Sequence, residues 1–189
     1  MNKFKFYIGP MSKNVVDAVI EFTEETNNKI GFIPSRRQVE YNGGYVNNWT
    51  TKEFSDYVDG RVPIERDHGG AGQGYKDDDG YKSFRYDCEN FDIIHIDPWK
   101  AYPNFDDGLK ETLATINYIH NMNPNTLFEV GTEEAIRKFT PDELDKLLEE
   151  LSHFEFFENI KYAVVQSGVG LDLGKRLGAL KQVILIWVD

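Results

Sequence analysis

Short apolar runs recur along this chain, each followed by a polar stretch with helical spacing. The runs are Phe4–Ile8, Ile30–Ile33, Val62–Glu65, Phe91–Ile96, Leu127–Val130, Tyr162–Val165 and Val183–Val188. Their β-branched and aromatic content suits buried strands. The first six begin roughly thirty residues apart, about the size of one βα unit. Between them, Ser12 is placed to cap a helix through Glu25, with Val15, Val16, Val19, Ile20 and Phe22 on its inner side. Thr50 or Thr51 starts a short helix carrying Phe54, Tyr57 and Val58, and Asp107 starts one with Leu109, Leu113, Ile116 and Ile119 as its stripe. Thr140-Pro141-Asp142-Glu143 is the strongest start signal: a cap, a proline at the first helical position, then acids in the first turn.

This alternation predicts an α/β protein with a parallel sheet, folded as one domain over residues 1–189. An open doubly wound sheet would gather its reactive groups at one switch point. Here nearly every predicted strand ends in polar residues: Pro34-Ser35-Arg36, Arg66-Asp67-His68, His95-Ile96-Asp97, Glu129-Val130-Gly131-Thr132 and Gln166-Ser167-Gly168. That distribution favours a TIM (β/α)8-type barrel, whose site lies on the rim of strand C-termini. No G-x-G-x-x-G and no G-x-x-x-x-G-K-[ST] follows the first strand, so both nucleotide fingerprints are missing. A full barrel needs eight units and about 250 residues. Six units fit well, so the barrel is expected to be short or incomplete at its C-terminal end. An exposed late strand at Val183–Val188 would favour pairing with another chain, hence a homodimer.

Composition narrows the partners. The 189 residues carry 21 Lys+Arg against 32 Asp+Glu, a net charge of −11. A general nucleic-acid binder needs clustered basic residues, so none is expected as a partner. A small anionic ligand, needing two or three local donors, stays open. One cysteine, Cys88, allows no internal disulfide and fits a reducing compartment. The late apolar run is too short to span a bilayer, and MNKFKFYIGP has no long apolar stretch of the signal-peptide kind. The expected location is the cytoplasm, with no membrane partner.

The chemistry-bearing residues fall at the strand ends. In Glu65-Arg66-Asp67-His68-Gly69-Gly70, alternation puts Glu65 and Asp67 on one face and Arg66 and His68 on the other until the strand ends. An Asp-His pair there can supply a general acid/base beside a metal-ligating imidazole; the plain alternative is a carboxylate salt-bridged to Arg66 and a His capping a turn. His95 and Asp97 share a face, as functional groups or as a buried hydrogen-bonded pair, and Trp99 is a candidate apolar wall or sugar platform. Glu129 is a candidate ligand or base. Thr132 reads as a helix cap, and Glu133 and Glu134 as dipole complements. The turn Gln166-Ser167-Gly168-Val169-Gly170 exposes backbone N–H groups that can cradle phosphate, though tight βα turns need glycine anyway. Arg36 and Arg37 form a candidate anion site, with pairing to the abundant acids as the plain alternative. Acids flank Cys88, which is not nominated as a nucleophile, and Asp77-Asp78-Asp79-Gly80 reads as a solvated turn.

Taken in order, Ile33-Pro34-Ser35-Arg36-Arg37-Gln38-Val39, Asn42-Gly43-Gly44-Tyr45, Arg66-Asp67-His68-Gly69-Gly70, Ile94-His95-Ile96-Asp97, Glu129-Val130-Gly131-Thr132-Glu133 and Val164-Val165-Gln166-Ser167-Gly168-Val169 resemble a known family. It is that of the non-catalytic subunits of D-tagatose-1,6-bisphosphate aldolase (GatZ/KbaZ type), and the likeness spans about residues 30–175. The resemblance implies a TIM barrel related to the class II, metal-dependent ketose-bisphosphate aldolases. It implies that Asp67 matches the aldolase acid/base, His68 its zinc ligand, and Glu129 a carboxylate bordering the metal. Where those aldolases carry further ligand histidines, this chain has Gln166-Ser167-Gly168.

The resulting expectation is an aldolase-like carbohydrate-phosphate protein. Asp67, Glu129 and Asp97 are its catalytic candidates, and His68 and His95 hold a divalent metal, zinc preferred. Arg36, Arg37, Gln166, Ser167 and Gly168 bind a sugar phosphate. The alternatives are a non-catalytic subunit stabilising an aldolase catalytic partner, and a sugar-phosphate isomerase or epimerase using Asp67 and Glu129.

Overall fold

The computed structural model describes residues 6–28, 30–132, 139–166 and 183–187. Strands and helices alternate: β1 (Tyr7–Ile8), α1 (Lys13–Thr26), β2 (Gly31–Phe32), α2 (Thr51–Val58), β3 (Glu65–Gly69), α3 (Tyr81–Asn90) and β4 (Ile93–Ile96). Then follow α4 (Phe105–Met122), β5 (Leu127–Thr132), α5 (Pro141–Ser152), a 3₁₀ turn at Glu155–Asn159, β6 (Ile160–Gln166) and β7 (Val183–Trp187). The helix starts are chemically explicit. Ser12 caps α1 through the Val15 amide. Thr50 with Glu53, and Thr140 with Glu143, form reciprocal capping boxes on α2 and α5. Asn104 caps α4 by accepting from the amides of Asp106 and Asp107, so that helix begins two residues before Asp107.

β1 pairs with β2, and β3-β4-β5-β6 pair in chain order, all parallel. Parallel bridges Phe32–Ile64 and Ser35–Asp67 carry β2 alongside β3. Among the described residues the order never reverses, so the switch point of a doubly wound sheet has no counterpart there. The sheet curls: the Tyr7 ring of β1 meets the Tyr162 ring of β6 edge-on, with centroids 6.4 Å apart. β7 departs from the repeat. It runs antiparallel against β6, from Tyr162–Trp187 to Gln166–Val183. One edge of this late strand is therefore used within the chain, where the sequence pointed to another chain.

Helices cover the outer face. Ile94, Ile96, Phe128, Ile116, Leu147 and Leu151 form one core between the sheet and α3–α5. Phe32, Ile64, Val16, Ile20, Phe54 and Val58 form a second between the sheet and α1–α2. Arg66 points outward from β3 and is fully buried. Its Nε and Nη2 donate to Asp87 on α3 at 2.9 and 2.7 Å, and its Nη1 donates to the carbonyls of Pro34 and Val39 at 3.0 and 2.8 Å. A buried guanidinium needs every donor satisfied, and this one thereby ties β3 to α3 and to the segment after β2. Among the described residues, no helix is long and apolar enough to cross a membrane.

Candidate functional site

The site forms where β3, β4 and β5 end. Alternation along β3 sends Glu65 inward, Arg66 to the helices and Asp67 inward, and on that rule His68 should face the helices. It does not. His68 has a φ of +47°, and the register steps from Arg66–Ile94 to Gly69–Ile96, so β3 uses three residues where β4 uses two. This bulge turns the imidazole toward β4, where its Nδ1 lies 2.6 Å from Oδ2 of Asp97. Its Nε2 lies 3.6 Å from Oδ1 of Asp67. Extra residues of this kind concentrate beside active sites because they re-aim a side chain. A left-handed conformation at a non-glycine residue is strain of the sort kept at functional positions.

His95 and Asp97 sit on the same side of β4, as their spacing implies, while Ile96 packs into the helical core. The two imidazoles lie 5.3 Å apart between ring centres. His95 pairs in register with Glu129 of β5, and its Nδ1 is 3.8 Å from Glu129 Oε1. Donor atoms of Asp67, His68 and His95 all lie within 4.8 Å of one another.

Electrostatics divides this cluster. Burial raises the Asp67 carboxyl above its ordinary value, with Asp97 adding to the rise and His68 and Arg66 opposing it. Asp97 is also buried, yet the hydrogen bond from His68 and its electrostatic interaction with the two imidazoles hold it below the usual range. Burial, and then His68, push His95 down to about 3. Burial and the neighbouring Glu65 carboxyl raise Glu129 well above the ordinary range. At neutral pH the interior therefore holds His95 as a neutral imidazole, with the ionised Asp97 behind His68.

The donor set suits a divalent metal. Imidazole nitrogens are ligands that zinc takes, and here two of them lie beside a carboxylate. Ionised Asp97 can only accept, so His68 donates from Nδ1 and keeps Nε2 as its lone-pair nitrogen, as in carboxylate–histidine–metal arrangements. His95 is held in the neutral form that ligates metals.

Other nominated residues lie elsewhere. Arg36 is 2% exposed, and its donors are taken within the chain: Nε by Glu40 at 2.6 Å, Nη1 by the Gly70 carbonyl at 2.7 Å, and the fork by Asp78 at 2.8 and 2.9 Å. It clamps a loop, where the sequence suggested a phosphate ligand, because a buried guanidinium must be paired. Asp78, read from sequence as solvated, is the other half of that clamp. Arg37 stays on the surface, its guanidinium 6.0 Å from the Tyr75 ring. Trp99 is no sugar platform. It is buried, stacks on Phe105 and donates from Nε1 to the Gly131 carbonyl at 2.6 Å. Gln166 ends β6, while Ser167, Gly168, Glu133 and Glu134 lie outside the described residues. Burial pushes the Cys88 thiol up to about 11, with Glu89 and Asp87 adding to it, which agrees with its omission as a nucleophile.

Two further residues bear on the site without having been nominated for it, although alternation put Glu65 on the face of Asp67. Glu65 lies beneath it, and Gln73 reaches it from the loop after β3. An isolated Gln in a Gly-rich loop matches no motif.

No family model and no curated protein match the chain. Among solved structures it is similar to the crystal structure of a probable tagatose 6 phosphate kinase from Sinorhizobium meliloti 1021. The two share 15% identity with a TM-score of 0.68, over 87% of this chain and 49% of that one. The chain thus spans about half of that neighbour's length, and at this identity the likeness establishes a shared α/β fold.

Proposed function

We propose that the chain is an aldolase-like carbohydrate-phosphate protein built on a (β/α)-barrel type of fold, cleaving or forming a C–C bond in a ketose phosphate. One observation carries this reading: the bulge at His68 gathers Asp67, His68 and His95 at one mouth, with Asp97 orienting His68. His68 and His95 would hold a divalent ion, zinc by the donor set. Such an ion supplies Lewis-acid polarisation of a ketose carbonyl. Asp67, half-buried and raised in pKa, is suited to proton transfer. In the cleavage direction it takes the proton of the hydroxyl on the far carbon of the breaking bond, where the new carbonyl forms. The bond's electron pair passes to the carbon next to the carbonyl, which then receives a proton. Arg37, the arginine left at the surface, is the candidate for the phosphate. The fold neighbour, whose name refers to tagatose 6 phosphate, supports the same ligand class.

The test is zinc content of the purified protein together with an aldol-cleavage assay on ketose bisphosphates. Asp67→Asn is expected to lower cleavage at least ~100-fold, the usual worth of a general acid/base. His68→Gln is expected to lose the ion. Full cleavage by Asp67→Asn, or a wild-type protein that neither binds zinc nor cleaves, would remove this reading.

A further inference from the structure

The loop between β3 and α3 is fastened at several points. Arg36 holds the Gly70 carbonyl and the Asp78 carboxylate, and the Gly72 amide donates to the Asp78 carbonyl at 3.0 Å. Lys100 Nζ donates to the Gly72 carbonyl at 2.6 Å. Gly70, Gly72 and Gly80 all have positive φ, at 145°, 69° and 77°. A Cβ on Gly74 would stand 3.2 Å from Arg36 Nη2, so the loop lies close over that buried guanidinium. This shape carries the Gln73 side chain to the site, where its Nε2 donates to Asp97 Oδ2 at 2.7 Å. That same oxygen accepts from His68 Nδ1 at 2.6 Å. Because a carboxylate only accepts, the amide nitrogen must be the atom facing it. The other oxygen, Oδ1, has the Trp99 amide at 3.4 Å.

We infer that Gln73 is a positioning residue of this site, fixing the Asp97 carboxylate that orients the His68 imidazole. The weight of that role rests on the reading of the site proposed above, whereas the orientation itself does not. Without the amide, the described residues leave Asp97 a long bond from Trp99 besides His68, and its carboxylate can rotate. Arg36 belongs to the same device one step removed, since it fixes the loop that presents Gln73.

The test is Gln73→Met, which keeps the length of the side chain and removes its amide. With ¹⁵N-histidine labelling, the wild-type protein is expected to show a His68 Nδ1–H resonance protected from solvent exchange, assigned by its absence in His68→Gln. Gln73→Met is expected to lose that protection and to bind zinc about tenfold more weakly, at the lower end of the effect of outer-shell partners. Its amide spectrum is expected to stay that of the wild type. Gly72→Ala offers a second route. Its new Cβ meets nothing, but φ of 69° disfavours alanine, so the loop shifts without a clash and the same loss is expected. Persistent protection of His68 in Gln73→Met overturns the inference whatever the zinc affinity. Failure of the wild-type protein to bind zinc would sink the metal reading alone and leave the resonance to decide.

Discussion

A buried imidazole that stays neutral sets an acid limit on this fold. His95 is ordinarily half-protonated at 6.5, and burial next to His68 pushes it down to about 3. On acidification the unfolded chain takes up this proton first, near pH 6.5. The folded chain takes it up only near 3. Stability is therefore full above 6.5, falls through the interval, and has lost its whole share below 3. At about 1.4 kcal/mol per pH unit, the interval from 6.5 to about 3 removes about 5 kcal/mol. That is comparable to the whole stability of a marginal domain, about 5–15 kcal/mol. The perturbation is His95→Gln, which deletes the titration. Urea unfolding followed by tryptophan fluorescence, in EDTA to exclude metal, gives both stabilities between pH 7 and pH 4. Other groups titrate as well: Asp97, held low, also weakens the fold in acid, while Glu129, held high, works the other way. The difference between the two proteins isolates His95 to first order. Wild-type stability is expected to drop by up to about 1.4 kcal/mol per pH unit more than that of the variant below pH 6. Parallel pH curves for the two proteins would refute the reasoning.

Three perturbations test the scaffold. Arg66→Met leaves Asp87 buried without its cation and takes one donor from each of the Pro34 and Val39 carbonyls, so a loss of about 3–5 kcal/mol is expected in urea unfolding. Gly131→Ala places a Cβ 2.0 Å from the Val164 carbonyl oxygen, so β5 and β6 must separate, with a loss of about 1–3 kcal/mol in thermal denaturation. Thr140→Ala removes the reciprocal cap of α5 and is expected to cost about 1 kcal/mol, with Thr140→Ser restoring most of it.

What could be read from sequence follows the range of the forces involved. Ser12, Thr50 and Thr140 act on amides two or three residues away, so the helix starts they cap were visible in the chain. α3 had no such signal. It begins at Gly80 without a side-chain cap, and its buried face includes Ser83 and Asp87, which earn their place by bonding Glu40 and Arg66 from distant segments. The apolar run Val62–Glu65 located β3 only at its start, because the strand itself is Glu65–Gly69. Its charged residues are buried by partners on neighbouring elements. Asp67, His68, His95 and Glu129 were nominated individually, and three of them are brought within ligand distance of one another. The side of the sheet on which His68 falls depends on a backbone dihedral that alternation cannot supply. Arg36 shows the converse: its charge suggested a ligand, but Glu40 and Asp78 engage it, one of them 42 residues away.

The left-handed residue at His68 switches the parity of β3. Before it, odd positions face the interior and Arg66 anchors the helical layer; after it, that count no longer holds. An Asp-His dipeptide grafted onto a regular strand would deliver its imidazole to the wrong side of the sheet. Shortening β3 by one residue would do the same here, leaving composition almost intact while dismantling the cluster.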